Sequence, residues 1–465
     1  MVAAATPPPT IAPLRPQRRG FWTPARAIFI SYLATISLGS VVLMLPACNT
    51  APIGFLDALF TVTSAVCVTG LVVVDTAAHF TRAGQWVIVA LIQMGGLGIM
   101  TFATWILMIG GQRPGLLYQS AAAMSYGSAR GVPVRRILLY VFLFTLAIEG
   151  TGALGYWLRW RGAMSGDEAA FNAIFHSVSA FANAGFSTLA TGLTPYVGDW
   201  AVNLTTCALI VSGGLGFIVL SDILLWAASG GRKRLSLNSR VAISTSLWLI
   251  LVGAALILAI EWSRALGTLP AGSRIQAALF QSVTARTAGF NTVEIGDLTA
   301  PVVFVIILLM IVGASPGSTG GGMKTTTLAI LLALVRSHAY GRSAVELGER
   351  RIPHTDVARA LATFSIYILT LLVGIFLLLV AEGWGGPAAE GQSRFMRLAF
   401  ECASALGTVG LSMNWTTAGV CAASKLILIG LMIIGRLGPL AIALTLIGRV
   451  STRQFQYPEE SVTTG

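Results

Sequence analysis

The sequence predicts an all-α membrane protein in which a helix, a pore helix and a second helix are repeated four times. Three observations lead to this prediction: the composition, the number of long apolar runs, and a glycine motif that returns at similar intervals. The 465 residues are 55% hydrophobic and only 10% charged, with a mean hydropathy of +0.79. A soluble domain carries about 25% charged residues, so the composition excludes a soluble globular protein.

Eight apolar runs are long enough to cross a membrane, because a transmembrane helix needs about 20 mostly apolar residues. They lie near residues 27–45, 84–109, 136–158, 199–227, 241–262, 299–335, 357–381 and 421–447. An even number of crossings places both ends of the chain on the same side of the membrane.

The distribution of positive charge predicts which side that is. The net charge of +12 would suggest nucleic acid in a soluble protein, but here the basic residues concentrate before the first run, after the last, and in every second connection. By the positive-inside rule these parts are cytoplasmic. The connections 46–83, 159–198, 263–298 and 382–420 are then external, and we expect a lipid bilayer, and no nucleic acid, as the surroundings of this chain.

The four external connections share a motif. They contain ALFTVTSAVCVTGL (58–71), AIFHSVSAFANAGF (173–186), ALFQSVTARTAGF (278–290) and LAFECASALGTVGL (398–411). Each has an aromatic residue, a step of small residues, and a glycine followed by Leu or Phe. Repetition at such intervals predicts copies of one structural unit.

Each unit therefore consists of a helix, a half-helix, a glycine turn and a helix. The half-helix is too short to span, and non-helical backbone at membrane depth is tolerated only inside protein or beside a water-filled cavity. Four re-entrant pore loops in one orientation predict pseudo-fourfold symmetry, with the glycine turns on the axis. The predicted divisions are a basic cytoplasmic tail (1–26) and repeats at 27–112, 113–235, 236–345 and 346–465, with glycine segments at 66–71, 182–186, 285–290 and 407–411.

A ring of glycine turns indicates a site for a monovalent cation. Backbone carbonyls can replace the hydration shell of such an ion, and the partly negative C-terminal end of each short helix favours a cation. The segments carry no ring of carboxylates, which makes a divalent cation less favoured. The alternative is four tight turns in a helical bundle. The predicted ligands are the carbonyls of Val68, Thr69, Gly70, Asn183, Ala184, Gly185, Thr287, Ala288, Gly289, Thr408, Val409 and Gly410.

The motifs VTGL, NAGF, TARTAGFNT and GTVGLS, together with GASPGSTGGGMKTTT at 313–327, resemble the Trk/Ktr/HKT superfamily of potassium transporters. The resemblance runs from about residue 27 to the end. It is closest to KtrB-type membrane subunits, because only one span precedes the first glycine segment, whereas TrkH-type subunits usually carry an additional helix pair. It implies channel-like potassium uptake through a selectivity filter, with sodium as a second candidate ion.

The same resemblance implies partners and a location. It implies a homodimer in the bacterial inner membrane that is controlled by a cytosolic nucleotide-binding ring of the KtrA type, with no nucleotide bound to this chain. Each repeat offers one filter glycine rather than a GYG pair. That implies fewer layers of carbonyls and weaker discrimination against sodium than in tetrameric potassium channels.

The span after each glycine segment contains a break of small residues: GGLG at 95–98 and 213–216, GASPG at 313–317, and GRLG at 435–438. In the first two, close helix packing is an alternative explanation. The third cannot continue as a helix through a proline and so many glycines. The resemblance implies a loop that obstructs the ion path below the filter. The predicted gate residues are Gly313, Ser315, Pro316, Gly317, Gly320, Gly321, Gly322, Lys324 and Arg436.

Four charged residues lie deep in apolar or filter segments. Arg436 is expected to face the cavity as an electrostatic barrier, since a charge near the bilayer centre costs about 2.5–3.5 kcal/mol; a structural ion pair is the alternative. Arg286 is expected to point behind the filter and to pair with Glu401. Glu149, in the third span, has no predicted partner.

Two other functions compete with a channel-like transporter. An ATP-driven enzyme would use 313–327 as a phosphate loop, but Met323 interrupts the required G-x-x-x-x-G-K-[ST] spacing and no strand precedes it, so we do not expect an enzyme. A TrkH-type transporter or a symporter coupled to sodium or protons is the second alternative. A coupled symporter needs titratable groups along the path, and the repeats offer few; coupling to sodium through carbonyls alone stays open.

Overall fold

The computed structural model describes residues 24–99, 101, 134–342, 344–383, 388–416 and 419–439. The predicted tail, the end of the second predicted span and the end of the last lie largely outside these residues. The helices are α1 (Pro24–Leu43), α2 (Phe55–Val66), α3 (Thr76–His79), α4 (Arg82–Leu97), α5 (Val134–Trp160), α6 (Gly166–Ala182), α7 (Trp200–Leu215), α8 (Phe217–Ala228), α9 (Leu237–Glu261), α10 (Ala271–Thr284), α11 (Ala300–Ile311), α12 (Thr325–Ala339), α13 (His354–Ala381), α14 (Ala388–Gly407) and α15 (Ala422–Leu437).

Within the described residues, four helices are each long and apolar enough to cross a membrane, α1, α5, α9 and α13, and the bent pair α7 and α8 passes the same test together. The four single helices coincide with the predicted runs near 27–45, 136–158, 241–262 and 357–381. Their outer faces expose large apolar side chains such as Leu143, Leu251 and Phe376. Such faces are stable against lipid rather than water, as in a multi-pass membrane protein.

The other four predicted spans are not continuous helices in the described part of the chain. Three are interrupted at Gly98, Gly216 and Gly438, which have φ values of 81°, 87° and 87°. L side chains rarely adopt such a backbone, so the regular helix ends at the glycine. At Gly216 the helices α7 and α8 meet at an angle of 102°. The span near 299–335 is divided by a loop between Ile311 and Thr325.

The short helices α2, α6, α10 and α14 each lead directly into a glycine segment. They have 12, 17, 14 and 20 residues, so α14 is longer than the expected half-helix. The second halves of α2, α6 and α10 are almost completely buried, although they contain Ser and Thr. These helices therefore form the centre of the molecule, and the long helices surround them.

Glycines in the long helices bring them close to the short ones. A Cβ atom added at any of four glycines would lie only 2.5–2.9 Å from a side chain of the neighbouring short helix; the pairs are Gly39 with Val62, Gly152 with Ser177, Gly253 with Ser282, and Gly374 with Cys402. Contacts this short exclude a larger residue, so each long helix packs on its short helix through a glycine.

One small element departs from the predicted all-α class. Strands β1 (Glu346–Leu347) and β2 (Arg350–Arg351) form an antiparallel pair between α12 and α13. Gly348, with a φ of 60°, supplies the left-handed turn residue that a tight hairpin requires. The apolar sequence pattern gave no sign of strands this short.

Candidate functional site

The four glycine segments share an unusual backbone conformation. Each glycine has a positive φ, and so does the residue two positions before it; those residues are Val68, Asn183, Thr287 and Thr408, with φ values of 55°, 62°, 71° and 50°. A left-handed backbone costs roughly 1–2 kcal/mol for an L-residue, and for β-branched side chains it is a genuine outlier. Strain of this kind persists where the surroundings enforce it, often at functional sites.

The backbone N–H groups of these segments point toward the short helices. The residue before each glycine donates to a carbonyl one turn back: Thr69 to Ser64 at 2.8 Å, Ala184 to Ser179 at 2.7 Å, Ala288 to Thr284 at 3.0 Å, and Val409 to Ser404 at 2.8 Å. The donors are thereby satisfied by the helix behind the segment. The carbonyl oxygens of these residues are not used in these hydrogen bonds and are available on the side away from the short helix.

A hydroxyl group reinforces each of these connections, and sequence reasoning missed it. The hydroxyls of Ser64 and Ser404 accept hydrogen bonds of 3.0 Å from the N–H groups of Gly70 and Gly410. Those of Ser179 and Thr284 donate to the carbonyls of Phe186 (2.8 Å) and Phe290 (2.6 Å). The sequence did contain an indication of these hydrogen bonds, because every copy of the motif has a Ser or Thr among the small residues before its glycine.

The carbonyl oxygens of the segments are free. Within the described ranges, none of the twelve predicted ligand carbonyls accepts a hydrogen bond. Buried backbone carbonyls are nearly always paired, and most of these residues are completely buried. Twelve acceptors in one small region are a concentration of negative partial charge that has no hydrogen-bond partner among the described residues.

The four glycines adjoin one another in a closed cycle. A Cβ atom added at Gly70 would lie 3.0 Å from the Cα of Gly185, and one at Gly185 would lie 3.0 Å from that of Gly289. A Cβ atom added at Gly289 would lie 3.1 Å from the Cα of Gly410, and one added at Gly410 would lie 2.9 Å from the Cα of Gly70. The segments therefore surround one axis in chain order, and only glycine permits this approach.

A glycine-rich loop, residues 313–322, lies against three of the four segments. The hydroxyl of Thr319 is 3.1 Å from the side-chain amide of Asn183, and donates to the carbonyl of Phe181 at 3.1 Å. A Cβ atom added at Gly320 would lie 3.3 Å from the Cβ of Thr287, and one at Gly321 would lie 3.2 Å from that of Thr408. Three consecutive loop residues thus cover three successive segments.

Cationic side chains hold the carbonyls of this loop. The Arg436 guanidinium donates to the carbonyl oxygens of Thr319 and Gly95, and so connects the loop to α4. Lys324 Nζ donates to the carbonyl of Gly320 at 2.9 Å. In the described residues Arg436 has carbonyl partners and no ion-pair partner, which argues against the alternative of a structural ion pair.

The predicted pair between Arg286 and Glu401 is wrong. Arg286 points behind its segment, as expected, but donates to the Ser246 hydroxyl (3.0 Å) and to the Gly313 carbonyl (3.4 Å). Glu401 accepts from the Ser412 hydroxyl at 2.5 Å, and also from Met413 and Thr416. By position in the motif, Arg286 corresponds to Gly407, six residues after Glu401 and so about 9 Å further along the helix.

Glu149, for which the sequence offered no partner, accepts a hydrogen bond of 3.2 Å from Gln93 of α4. Its second carboxylate oxygen has no partner among the described residues. The carboxylate faces α4 from α5. In the described structure no hydrogen bond or ion pair joins the Glu149 side chain to a glycine segment or to the loop.

The small-residue breaks combine two roles that the sequence could not separate. A Cβ atom added at Gly95, Gly213 or Gly435 would collide with the carbonyl of the last turn of a short helix, at Val66, Phe181 and Leu406 respectively. The later glycines Gly98, Gly216 and Gly438, each with a positive φ, are the points where α4, α7 and α15 end. Close packing and helix interruption are therefore both present, on different glycines of one motif.

Comparison with known proteins shows which family this chain belongs to. The family described as TrkH, cation transport protein, matches residues 23–454. The Ktr system potassium uptake protein B of Bacillus subtilis is 36% identical over 446 residues, which cover 96% of this chain and 97% of the relative. The potassium/sodium uptake protein NtpJ of Enterococcus hirae is 33% identical, over 95% of this chain and 97% of the relative.

Similarity of fold extends to a solved structure. The potassium transporter TrkH from Vibrio parahaemolyticus superposes with a TM-score of 0.72, covering 93% of this chain and 87% of that one, at 22% sequence identity. At this identity the likeness concerns the fold: a helical arrangement of apolar and short helices is shared over nearly the full length of both chains.

Proposed function

Because this chain belongs to the TrkH family of cation transport proteins, as its motifs indicated, we propose that it is a potassium uptake protein in which ions cross the membrane between the four glycine segments. One observation carries the proposal: the four glycines form a closed cycle in which twelve carbonyl oxygens have no partner in the described structure. The relatives named as potassium uptake proteins support the choice of ion.

In this proposal the filter binds the ion through backbone carbonyl oxygens. A potassium ion that enters the cycle exchanges its water ligands for the carbonyls of successive residues. The N–H group of the residue before each glycine is bound to the short helix behind it, so carbonyl oxygens dominate the axis and a cation is favoured over an anion. In this proposal the chain consists of eight transmembrane passages and four re-entrant loops, divided into the repeats predicted from the sequence, and it conducts like a channel.

The loop at 313–322 and Arg436 form the gate in this proposal. With residues 319–321 against the inner ends of three segments, an ion leaving the filter meets backbone atoms rather than water. Arg436 and Lys324 add two positive charges beside the same loop and repel an approaching cation. Opening requires the loop to leave its contacts, above all the hydrogen bonds from Arg436 to Thr319 and from Lys324 to Gly320.

Control of the gate is proposed to come from a separate cytosolic ring of the KtrA type that binds the nucleotide, with the transporter as a homodimer in the bacterial inner membrane and both termini cytoplasmic. Two relatives are named as parts of a Ktr system, which supports a further component. The connection between α8 and α9 exposes Arg232, Lys233 and Arg234 and supplies a basic surface on the proposed cytoplasmic side.

Sodium is the second candidate ion, as a coupling ion or as cargo. The Enterococcus relative is named as a potassium/sodium uptake protein, and carbonyl oxygens bind either ion. A TrkH-type transporter or a sodium- or proton-coupled symporter is therefore the alternative to a uniporter.

Flux measurements in proteoliposomes separate these functions. Purified protein is reconstituted without ATP, an artificial potassium gradient is applied, and flux is recorded with and without sodium and across a range of pH gradients. A channel-like uniporter conducts potassium under all of these conditions, whereas a symporter requires the coupling ion. Absence of potassium flux from correctly inserted protein, also with the Arg436→Ala variant, would contradict the proposed function.

A further inference from the structure

We propose that His176, Gln281 and Glu401 are positioning residues that hold the outer end of the filter and thereby set its preference for potassium over sodium. The proposal rests on the proposed function and extends it. The three side chains act through the stretch of backbone that follows each segment glycine, rather than by touching the ion.

These residues share one position in the motif. Each directly follows the aromatic residue of its short helix, and the fourth member of the set is Thr61. All four are completely buried. Each also lies three residues before the Ser or Thr whose hydroxyl is bonded to the segment glycine or to the residue after it. The two side chains therefore share a face of the helix, about 4.5 Å apart along its axis.

His176 holds the chain after the second segment. Its Nδ1 is 2.8 Å from the carbonyl oxygen of Asn172, and this nitrogen carries the proton because a carbonyl only accepts. In the neutral ring Nε2 is then an acceptor for the hydroxyl of Ser187 at 3.0 Å, two residues after Gly185. The ring of Trp160 packs edge-on against the imidazole, with 5.2 Å between centroids, which keeps the imidazole in this orientation.

Gln281 holds the chain after the third segment with the opposite polarity. Its Nε2 donates to the carbonyl of Val293 at 3.3 Å, four residues after Gly289. A carbonyl can be paired only by a donor, so this position requires the amide nitrogen. The amide oxygen has no hydrogen-bond partner among the described residues, so the bond to Val293 is the polar contact through which this side chain acts on the segment.

Glu401 collects donors from the chain after the fourth segment. Its Oε1 accepts from the Ser412 hydroxyl at 2.5 Å and from the Met413 N–H at 2.9 Å, and its Oε2 accepts from the Thr416 hydroxyl. An ionised carboxylate accepts and never donates. The carboxylate therefore matches the donors that it faces, just as the amide of Gln281 matches a carbonyl.

The first repeat lacks such a connection. The Thr61 hydroxyl donates to the carbonyl of Asp57 in its own helix, at 2.9 Å, and within the described ranges no hydrogen bond joins its side chain to the residues after Gly70. Residues 71–74 are Leu and Val, which offer no side-chain donor or acceptor to hold. Thr61 is therefore a control supplied by the molecule itself.

These connections affect ion preference through geometry. Discrimination between potassium and sodium depends on the size of the carbonyl site and on the number of its ligands, so both ends of each segment must be held in place. Hydroxyls such as those of Ser64 and Ser404 hold the glycine itself. The three side chains hold the residues beyond it. A filter whose outer end is released keeps its carbonyls but loses their spacing, and its discrimination declines.

Exchanges between side chains of similar length test the chemistry of these contacts. Gln281→Glu and Gln281→Met both remove the donor that the Val293 carbonyl requires, and the glutamate also sets oxygen against oxygen. Glu401→Gln keeps an oxygen for the donors that face it, whereas Glu401→Met offers none. Glutamate is therefore expected to be no better than methionine at position 281, while glutamine is expected to be better than methionine at position 401. Thr61→Val is the matched control.

The ratio of potassium to sodium permeability is measured in proteoliposomes and related to the amount of folded protein. Gln281→Met and Glu401→Met are each expected to lower the ratio about tenfold, an effect within reach of lost buried hydrogen bonds, and Thr61→Val is expected to leave it unchanged. An unchanged ratio in conducting Gln281→Met and Glu401→Met protein overturns the proposal. A higher ratio for Gln281→Glu than for Gln281→Met also overturns it, because a packing role would follow shape rather than donors.

Two further variants test the same contacts from the side of the segments, for the case that a change at a buried position prevents folding. Ser412→Ala removes a donor to Glu401, and Ser187→Ala removes the donor to His176, while both short helices stay intact. Both changes are expected to lower the ratio, though less than Glu401→Met does. A ratio equal to that of the wild type in both variants overturns the proposal.

A second measurement is independent of transport. Ion binding to the folded protein raises its melting temperature, so the rises with potassium chloride and with sodium chloride are compared in detergent, with choline chloride as the ionic-strength control. A smaller difference between the two rises in Gln281→Met and Glu401→Met than in the wild type supports the positioning role even if no flux occurs, in which case the proposed function alone fails. An equal difference in all variants overturns the role.

Discussion

The guanidinium of Arg436, at the end of α15, donates a hydrogen bond to the carbonyl of Thr319, in the middle of the glycine-rich loop. It also donates to the carbonyl of Gly95 at the end of α4. One side chain thereby connects three parts of the chain that are separated by more than 100 residues. The loop is held in place by a residue of a different predicted repeat.

Replacing Arg436 with alanine is expected to raise potassium flux about tenfold or more, because hydrogen bonds to charged groups contribute about 1.5–3 kcal/mol each and a factor of ten corresponds to about 1.4 kcal/mol. Flux is measured in proteoliposomes, with Arg240→Ala, an exposed arginine in α9, as the control. Unchanged or abolished flux in properly inserted protein would count against Arg436 as a gate residue.

Gly70→Ser is expected to abolish the preference for potassium over sodium. The φ of Gly70 is 91°, and a Cβ atom there would lie 2.5 Å from the carbonyl oxygen of Ala184, so a side chain displaces two adjacent segments. Uptake of both ions is compared in cells that lack their own potassium uptake. Gly150→Ala in α5, where a Cβ meets nothing within 4 Å, is the control, and equal selectivity of Gly70→Ser and wild type would refute the filter assignment.

Shortening the loop at 313–322 is expected to increase flux and to leave selectivity unchanged. The conformation of each segment is maintained by hydrogen bonds to its short helix, such as that from Thr69 to Ser64, and these do not involve the loop. The permeability ratio of potassium to sodium is measured beside the flux. A changed ratio with unchanged flux would show that the loop belongs to the filter rather than to the gate.

Exchanging the charges of Arg286 and Glu401 is expected to rescue nothing. Since the two side chains have separate partners, a double-mutant cycle on transport or thermal stability should give a coupling within about 0.5 kcal/mol, the range for independent sites. Each single neutralisation is expected to reduce the amount of folded protein, because Glu401→Gln weakens the bonds to Ser412, Met413 and Thr416. Recovery in the charge-exchanged variant would contradict the observed partners.

The family and the four glycines could be predicted from the sequence because spacing is a one-dimensional property. The left-handed conformation of Val68 could not, since a β-branched residue gives no local indication of it and adopts it only under the constraint of the surrounding chain. The error over Arg286 and Glu401 had a similar origin: both lie in corresponding segments, but six residues of helix separate their depths. Partners of long side chains depend on depth and direction, which spacing alone does not contain.

The order in which residues 319–321 meet Asn183, Thr287 and Thr408 could not be predicted from the sequence either, because it depends on how the loop folds back on the segments. The resemblance implied a loop below the filter, but it did not say which loop residue meets which segment. In the structure two of these glycines serve a steric purpose, because a Cβ atom at Gly320 or Gly321 would strike a threonine hydroxyl.

The cycle of four glycines is closed within a single polypeptide. A ring assembled from identical subunits must change all of its members at once when one codon changes. Here each quadrant can change separately: the equivalent positions carry Val68, Asn183, Thr287 and Thr408, and within the described residues the third span after a segment is the one that a loop divides. In a ring formed by one chain, each of the four segments can therefore take a different role: some can supply ligands while another carries the loop that obstructs the axis.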